Sequence, residues 1–307
     1  MEDTMITKLE QMFDVLRNES KMVLVAACAN DSHTIGAVHQ AREMGLIEGV
    51  FVGDEKKIME ICKEEKIDSS LYRIVHEPDD ARAVARAVAL INAGEGDILM
   101  KGLVSTDKYM RGILNKEKGL MEKKAVLSHV TVLENPNYHK LMIVGDVAII
   151  PLPDLNQKVA ITNYLIQTAH ALGIETPKVA LLAASETVTP KIPANADAAV
   201  ITKMAERGQI KGALVDGPLA MDLCIDPESV KIKGIVSDVA GDADCILFPN
   251  IESGNVFYKT NTKLAKANLG AVVVGARVPA ILSSRGDSVD VKMASIALAA
   301  MMALGKA

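Results

Sequence analysis

The sequence predicts an α/β protein of two domains, each built on a mainly parallel sheet. Three observations carry this. Short β-branched runs alternate with longer helical patterns through the first 114 residues. The length of 307 residues suits two domains of ordinary size. Hydrophobic residues make up 49% and charged residues 24%, a globular balance, but aromatics are only 3% and Trp is absent. The core must therefore be built from Val, Ile, Leu, Ala and Met.

In order, Met22–Ala27 reads as a strand and Ser32–Met44 as a helix. Gly49–Val52 is a strand, followed by a charged helix over Glu55–Glu65 whose polar side faces solvent. Arg73–His76 is a strand, followed by the alanine-rich helix Asp79–Asn92. Ile98–Met100 is a strand, and Ser105–Leu114 a helix. Four successive βα units specify a parallel sheet covered on both faces. Ala125–Leu133 and Lys140–Ile149 then read as two strands joined by the turn Glu134-Asn135-Pro136-Asn137, an antiparallel pair. A helix to about Leu172 follows Pro151-Leu152-Pro153-Asp154. Val179–Ala183, Ala213–Asp216, Cys245–Phe248 and Ala271–Val274 read as further strands, and Val278–Leu282 as an apolar strand before a last helix from Ser288 to Leu304. The pattern places a domain boundary near residue 124 and leaves the last helix open to either domain. A ligand is expected in a cleft where the two domains meet.

Composition excludes several classes. A net charge of −5 lacks the basic excess of a nucleic-acid surface. Cys28, Cys62, Cys224 and Cys245 form no C-x-x-C pair, which points to reduced thiols in the cytoplasm and to neither a zinc site nor a disulfide framework. The N-terminus carries acid where a signal peptide carries base, and no apolar run reaches the ~18 residues of a membrane span. His33, His39, His76, His129, His139 and His170 show no metal-ligand spacing. Cys28, at the end of a strand, reads as a buried thiol.

Five segments can carry chemistry, and each has a plainer reading. Lys101-Gly102-Leu103-Val104-Ser105-Thr106-Asp107 leaves a buried strand and opens a helix. Its glycine admits a ligand, its helix-start amides favour an anion, and Lys101, Ser105, Thr106 and Arg111 supply charge and hydroxyl donors. The plainer reading is a βα turn with a Ser N-cap. Ser283-Ser284-Arg285-Gly286-Asp287-Ser288-Val289-Asp290 precedes the last helix. Arg285 offers a planar fork for phosphate, Ser284 a donor for a developing oxyanion, and a neighbouring carboxylate a general base. Asp287 as N-cap with Asp290 as the N3 acid would account for the same residues structurally. Asp216-Gly217-Pro218-Leu219-Ala220-Met221-Asp222 pairs two carboxylates without a metal-ligand spacing. Asn250 and Asn255 bracket Gly254 at a strand exit, as caps or as ligand contacts. Asp146 interrupts an apolar run and calls for a partner, with an interdomain salt bridge as the plain expectation.

In this order, Lys-Gly-Leu-Val-Ser-Thr at 101, Gly-Asp-Val-Ala at 145, Asp-Gly-Pro-Leu at 216, Gly-Asn-Val-Phe-Tyr-Lys at 254 and Ser-Arg-Gly-Asp-Ser at 284 resemble the phosphate acetyltransferase and phosphate butyryltransferase family over nearly the whole chain. The run from Ser284 to Ala299 resembles the butyryl branch more. The resemblance implies an isocitrate-dehydrogenase-like fold in which the last helix returns to the first domain, giving domains of 1–124 plus 279–307 and 125–278. It implies a homodimer or higher homo-oligomer with small-molecule substrates (acyl-CoA, phosphate and acyl phosphate) and no nucleic-acid or membrane partner. The implied reaction is acyl-CoA plus phosphate giving acyl phosphate plus coenzyme A, by direct attack in a ternary complex, with no metal, no cofactor and no covalent enzyme intermediate.

By position, Ser284 would stabilise the oxyanion and Arg285 bind the phosphate or carbonyl. Arg111 matches a second phosphate-side arginine, and Ser105 and Thr106 match helix-start phosphate contacts. Lys101 and Asn255 complete the candidate substrate contacts. One departure stands out. The acetyl branch's thiol-activating aspartate lies seven residues after the serine, where this chain has Val291. Asp290 is one residue early, a rotation of about 100° on a helix. Asp290 on a shifted helix, Asp287, or weaker reliance on a base are the options, and Asp290 is preferred. Three other functions are weighed: an acetyl-CoA-specific enzyme, a metal- and NAD-dependent decarboxylating dehydrogenase of the same fold, and a non-catalytic acyl-CoA or acyl-phosphate binding protein.

Overall fold

The structure is a computed structural model that describes residues 5–282 and 287–305. The chain starts with helix α1 (Gln11–Arg17), which the sequence pattern does not mark, and continues through β1 (Met22–Ala27), α2 (Ser32–Glu43), β2 (Ile47–Gly53), α3 (Glu55–Glu64), β3 (Arg73–His76), α4 (Asp80–Asn92), β4 (Ile98–Lys101) and α5 (Thr106–Ile113). Then come β5 (Ser128–Glu134), β6 (Met142–Gly145), α6 (Leu155–Ala171), β7 (Lys178–Leu182), α7 (Pro193–Glu206), β8 (Leu214–Leu219), α8 (Met221–Ile225), α9 (Pro227–Lys233), β9 (Cys245–Leu247) and α10 (Ile251–Lys263). β10 (Asn268–Val274), β11 (Ala280–Ile281) and α11 (Val289–Leu304) close the chain.

These elements form two compact units. One comprises Glu10–Leu127 with the chain from Gly270 onward, the other Ser128–Leu269 with the described residues up to Leu9. The N-terminal segment joins the latter unit through specific bonds: Ile6 N donates to the Leu172 carbonyl at 3.0 Å, and Leu9 N to the Glu134 carboxylate at 2.9 Å.

The Glu10–Leu127 unit has strand order β3-β2-β1-β4-β11-β10, parallel except for the β10–β11 pair. β1 is central, and its Leu24–Ala27 stretch is fully buried, as expected of a strand covered on both faces. Asp31, Asp54, Asp79 and Ser105 cap α2, α3, α4 and α5, so each βα unit ends in a sequence-encoded helix start. α11 packs against α1, α2, β1, β4 and β11. Its residues from Lys292 to Ala303 are all buried, which explains why the helix beyond Lys292 carries no charge and is apolar on nearly every side. Gly270 lets β10 approach it: an added Cβ would sit 2.7 Å from the Ala294 carbonyl oxygen.

The Ser128–Leu269 unit has order β5-β6-β9-β7-β8. β5 and β6 form the antiparallel hairpin that the turn composition predicts, and the other neighbours are parallel. β8 runs three residues further than its hydrophobic pattern, through Gly217-Pro218 to Leu219, across an irregularity in its pairing with β7. At the amino edge of this sheet, Lys140 bonds Asp242 and Asp244 (3.0 and 2.7 Å) and Lys178 bonds Asp242 (2.7 Å), which ties β6, β7 and β9 together. No helix among the described residues is long and apolar enough to cross a membrane.

Candidate active site

The carboxyl edge of the first unit's sheet gathers three strand exits. The register pairs Ala27 with Lys101 and Ile281 with Met100, so Cys28, Gly102 and Leu282 leave the sheet close to the same level. In parallel α/β sheets ligands bind at this edge. The Ser284-Arg285 pair follows Leu282 closely in the chain and lies outside the described residues.

The β4 exit is built around Gly102. Its amide donates to the Ala27 carbonyl and that of Leu103 to the Cys28 carbonyl, both at 2.8 Å. A Cβ on Gly102 would collide with the Cys28 carbonyl oxygen and lie 2.8 Å from that of Ala27, so glycine is required by close backbone approach. Cys28 itself adopts φ of 59°, and its thiol donates to the Asp80 carbonyl at 3.3 Å. Burial, reinforced by the Asp80 charge, pushes this thiol up to about 12, which makes it inert. All four cysteines are buried and unpaired.

Lys101 folds over its own loop, donating to the Gly102 and Val104 carbonyls at 3.2 and 3.0 Å. Ser105 is the N-cap of α5, its oxygen accepting from Lys108 N at 3.3 Å, and this leaves the hydroxyl proton for a ligand. Thr106 is the first helical residue, and both hydroxyl residues are exposed. Arg111 sits on the same helix, 78% exposed, with its guanidinium on Asp107 at 3.1 Å. Lys108 is held by Asp80 at 2.9 Å.

The start of α11 differs from the expected capping pattern. Ser288, not Asp287, is the N-cap: its backbone is extended and its oxygen accepts from Val291 N at 3.3 Å. Asp290 therefore occupies N2 rather than N3. Its carboxylate is exposed and has no hydrogen bond or ion pair among the described residues. It thus retains its full accepting capacity in the helix's first turn. Pattern reading passes over Lys292, the lone charge in the buried stretch of α11, although its isolation among apolar residues is visible in the sequence.

The second unit brings two of the singled-out motifs together. β6 ends at Gly145 because the next residues turn their amides onto Asp146. That carboxylate, 2% exposed, accepts from Ser128 Oγ (2.8 Å), Ala148 N (2.7 Å), Ile149 N (2.8 Å), and more weakly from His129 N and Ile150 N (both 3.3 Å). The expected interdomain salt bridge is replaced by a hydroxyl and four amides of its own unit, which satisfy the charge without a cation. Burial lowers the pKa of His129, with the Asp146 charge opposing. Asn255 joins the same loop, its Nδ2 donating to the Val147 carbonyl at 3.2 Å. Gly254 allows this, because a Cβ there would meet the Asp146 carbonyl oxygen and lie 3.2 Å from Val147 Cα. Asn250 caps α10 through Ser253 N at 3.0 Å. An apolar groove of about 500 Å³ lies beside α10, lined by Leu182, Met221, Phe248, Val256 and Phe257. Asp216 accepts from Gly217 N at 2.8 Å, whereas Asp222 pairs with Lys233 at 3.0 Å, so the two carboxylates serve different partners. No cluster of three or more His, Cys, Asp or Glu suited to a metal occurs among the described residues.

A two-unit α/β fold with a glycine-built strand exit and a serine-capped helix start at one sheet edge presents backbone amides and hydroxyls there, the groups that favour an anion. The chain belongs to the family described as phosphate acetyl/butaryl transferase, whose profile matches residues 72–300. It is 43% identical to a phosphate butyryltransferase of Clostridium acetobutylicum over 97% of this chain and 98% of that one. It is 41% identical to a phosphate acetyltransferase of Rhizobium meliloti, over 97% and 94%. A branched-chain phosphotransacylase from Enterococcus faecalis superposes with a TM-score of 0.80 at 30% identity, covering 92% of this chain and 99% of that structure.

Proposed function

We propose that this enzyme reversibly transfers a short acyl group, butyryl or similar in size, between coenzyme A and inorganic phosphate. The observation that carries the reading is the register that sets the β4 exit and the β11 exit side by side, each feeding a helix start, in a chain of this family. In the phosphate-consuming direction a phosphate oxygen attacks the thioester carbonyl carbon, the C–S bond breaks, and coenzyme A leaves. In reverse, Asp290 takes the thiol proton, sulfur attacks the acyl phosphate carbonyl, and phosphate departs. Ser284 donates to the carbonyl oxygen as charge develops there, and Arg285 holds the phosphate through two parallel bonds. Ser105 and Thr106 supply hydroxyl donors, and Arg111 supplies a second guanidinium once it leaves Asp107. Lys101 braces the loop that presents them, and Asn255 anchors the Asp146 loop.

The enzyme works in the cytoplasm as a homodimer or larger homo-oligomer, on small molecules alone and without a metal or other cofactor. Acetyl-CoA is the competing substrate, since the acetyl-transferring relative is nearly as similar as the butyryl-transferring one. The test is coenzyme A release from acetyl-, propionyl- and butyryl-CoA with and without phosphate. Phosphate-dependent release that is fastest with butyryl-CoA supports the reading. No release from any of the three overturns it.

A further inference from the structure

Lys292 is the one charged residue in the buried stretch of α11 and is only 7% exposed. A buried ammonium normally has a partner, because taking a charge out of water is costly unless a good ion pair offsets it. Lys158, the comparably buried lysine of the other unit, follows that rule and holds Asp197 at 2.6 Å. Lys292 does not. Among the described residues its side chain has neither hydrogen bond nor ion pair, and Asp290 two residues away does not reach it.

Its direction follows from the helix. Lys292 is the fourth residue of α11, its amide donating to the Ser288 carbonyl at 3.1 Å. Helical side chains lean back toward the N-terminus and cover the preceding turn. By that rule the Lys292 stem is expected to lie along the first turn of this 16-residue helix, toward the end where orphan amides and the helix dipole present positive charge. Ser288 occupies the Val291 amide, whereas those of Val289 and Asp290 have no acceptor among the described residues.

We propose that Lys292 is an anion-binding residue that receives a phosphoryl group at the start of α11, the inorganic phosphate of the forward reaction or the phosphoryl end of acyl phosphate. This rests on the acyl-transfer reading for the identity of the anion. The dianion supplies the missing partner, and it explains why a charge persists in the buried stretch of α11.

Inorganic phosphate and, separately, coenzyme A are titrated calorimetrically into wild type, Lys292→Met and Lys292→Arg, alongside melting curves without ligand. Methionine keeps the buried stem and removes the charge. Lys292→Met is expected to weaken phosphate binding by at least about tenfold, leave coenzyme A binding within about twofold, and melt at or above the wild-type temperature. Lys292→Arg should retain most of the phosphate affinity. A lysine kept for structure would show the opposite signature, a lower melting temperature with unchanged phosphate affinity, and that result overturns the proposal. So does a wild type that binds no phosphate, or a loss confined to coenzyme A. Phosphate binding that depends on Lys292 in a protein without acyl-transfer activity would overturn the proposed function and leave this assignment standing.

Discussion

Replacing Asp146 by Asn exchanges one carboxylate oxygen for an NH2 group and should cost as much as replacing it by Ala. Both carboxylate oxygens act as acceptors: Oδ1 for Ala148 and Ile149, Oδ2 for Ser128, His129 and Ile150. An amide can place an oxygen on one side alone, and its NH2 then faces donors. Each bond to a charged acceptor is worth about 1.5–3 kcal/mol, and the five are not additive because two are long. Roughly 3–5 kcal/mol is expected for either variant, at the upper end for a single substitution. For a unit of this size that is a fall of about 6–20 °C in melting temperature. Calorimetry gives the overall change. Amide exchange at Ala148, Ile149 and Ile150 localises it, since these amides lose their acceptor in whole or in part. An Asp146→Asn variant with near-wild-type melting and exchange would refute the claim that the charge, and not the shape, organises this loop.

Gly102→Ala should lower both stability and turnover, by about 1–3 kcal/mol for the overpacking, because the collision is with backbone that cannot swing aside; melting curves and a coupled acyl-transfer assay read the two effects. The four thiols should resist a thiol reagent at pH 8 in the native protein and react only on unfolding, since each is buried and those of Cys28 and Cys224 are pushed up to about 12 by burial. Burial acts to raise the Asp242 carboxyl, but hydrogen bonds and charge from Lys178 and Lys140 outweigh it and hold it at about 2. A depressed carboxyl contributes stability that is present above its unfolded value of about 3.9 and lost as pH falls toward the folded one. Asp242→Asn should therefore melt below wild type at pH 7, with the gap narrowing as the pH is lowered through that window.

The parts of the fold governed by local rules are legible in the sequence. The four βα units, the β5–β6 hairpin and the last helix appear where periodicity and turn residues place them. The start of α11 falls one residue later than the capping pattern suggests, because Asp287 and Ser288 are both good caps and only the geometry at Val291 N decides between them. The sequence shows that Asp146 needs a partner, but a ring of backbone amides leaves no trace in residue types, so a salt bridge is the natural and wrong expectation. Helix α1 escapes pattern reading because its seven residues carry little periodic signal, and it is held by packing on α11. The strand exits near Gly102 are legible as motifs, while their common level at the sheet edge follows from pairing register, which a sequence does not display.

The most direct test of the central claim is phosphate-dependent release of coenzyme A from butyryl-CoA by wild type and by folded Arg285→Ala. Wild type is expected to form stoichiometric butyryl phosphate, and the variant to lose at least about a hundredfold in kcat/KM, the scale of removing a transition-state charge contact. Release that does not require phosphate, or an Arg285→Ala enzyme that turns over like wild type, would contradict it.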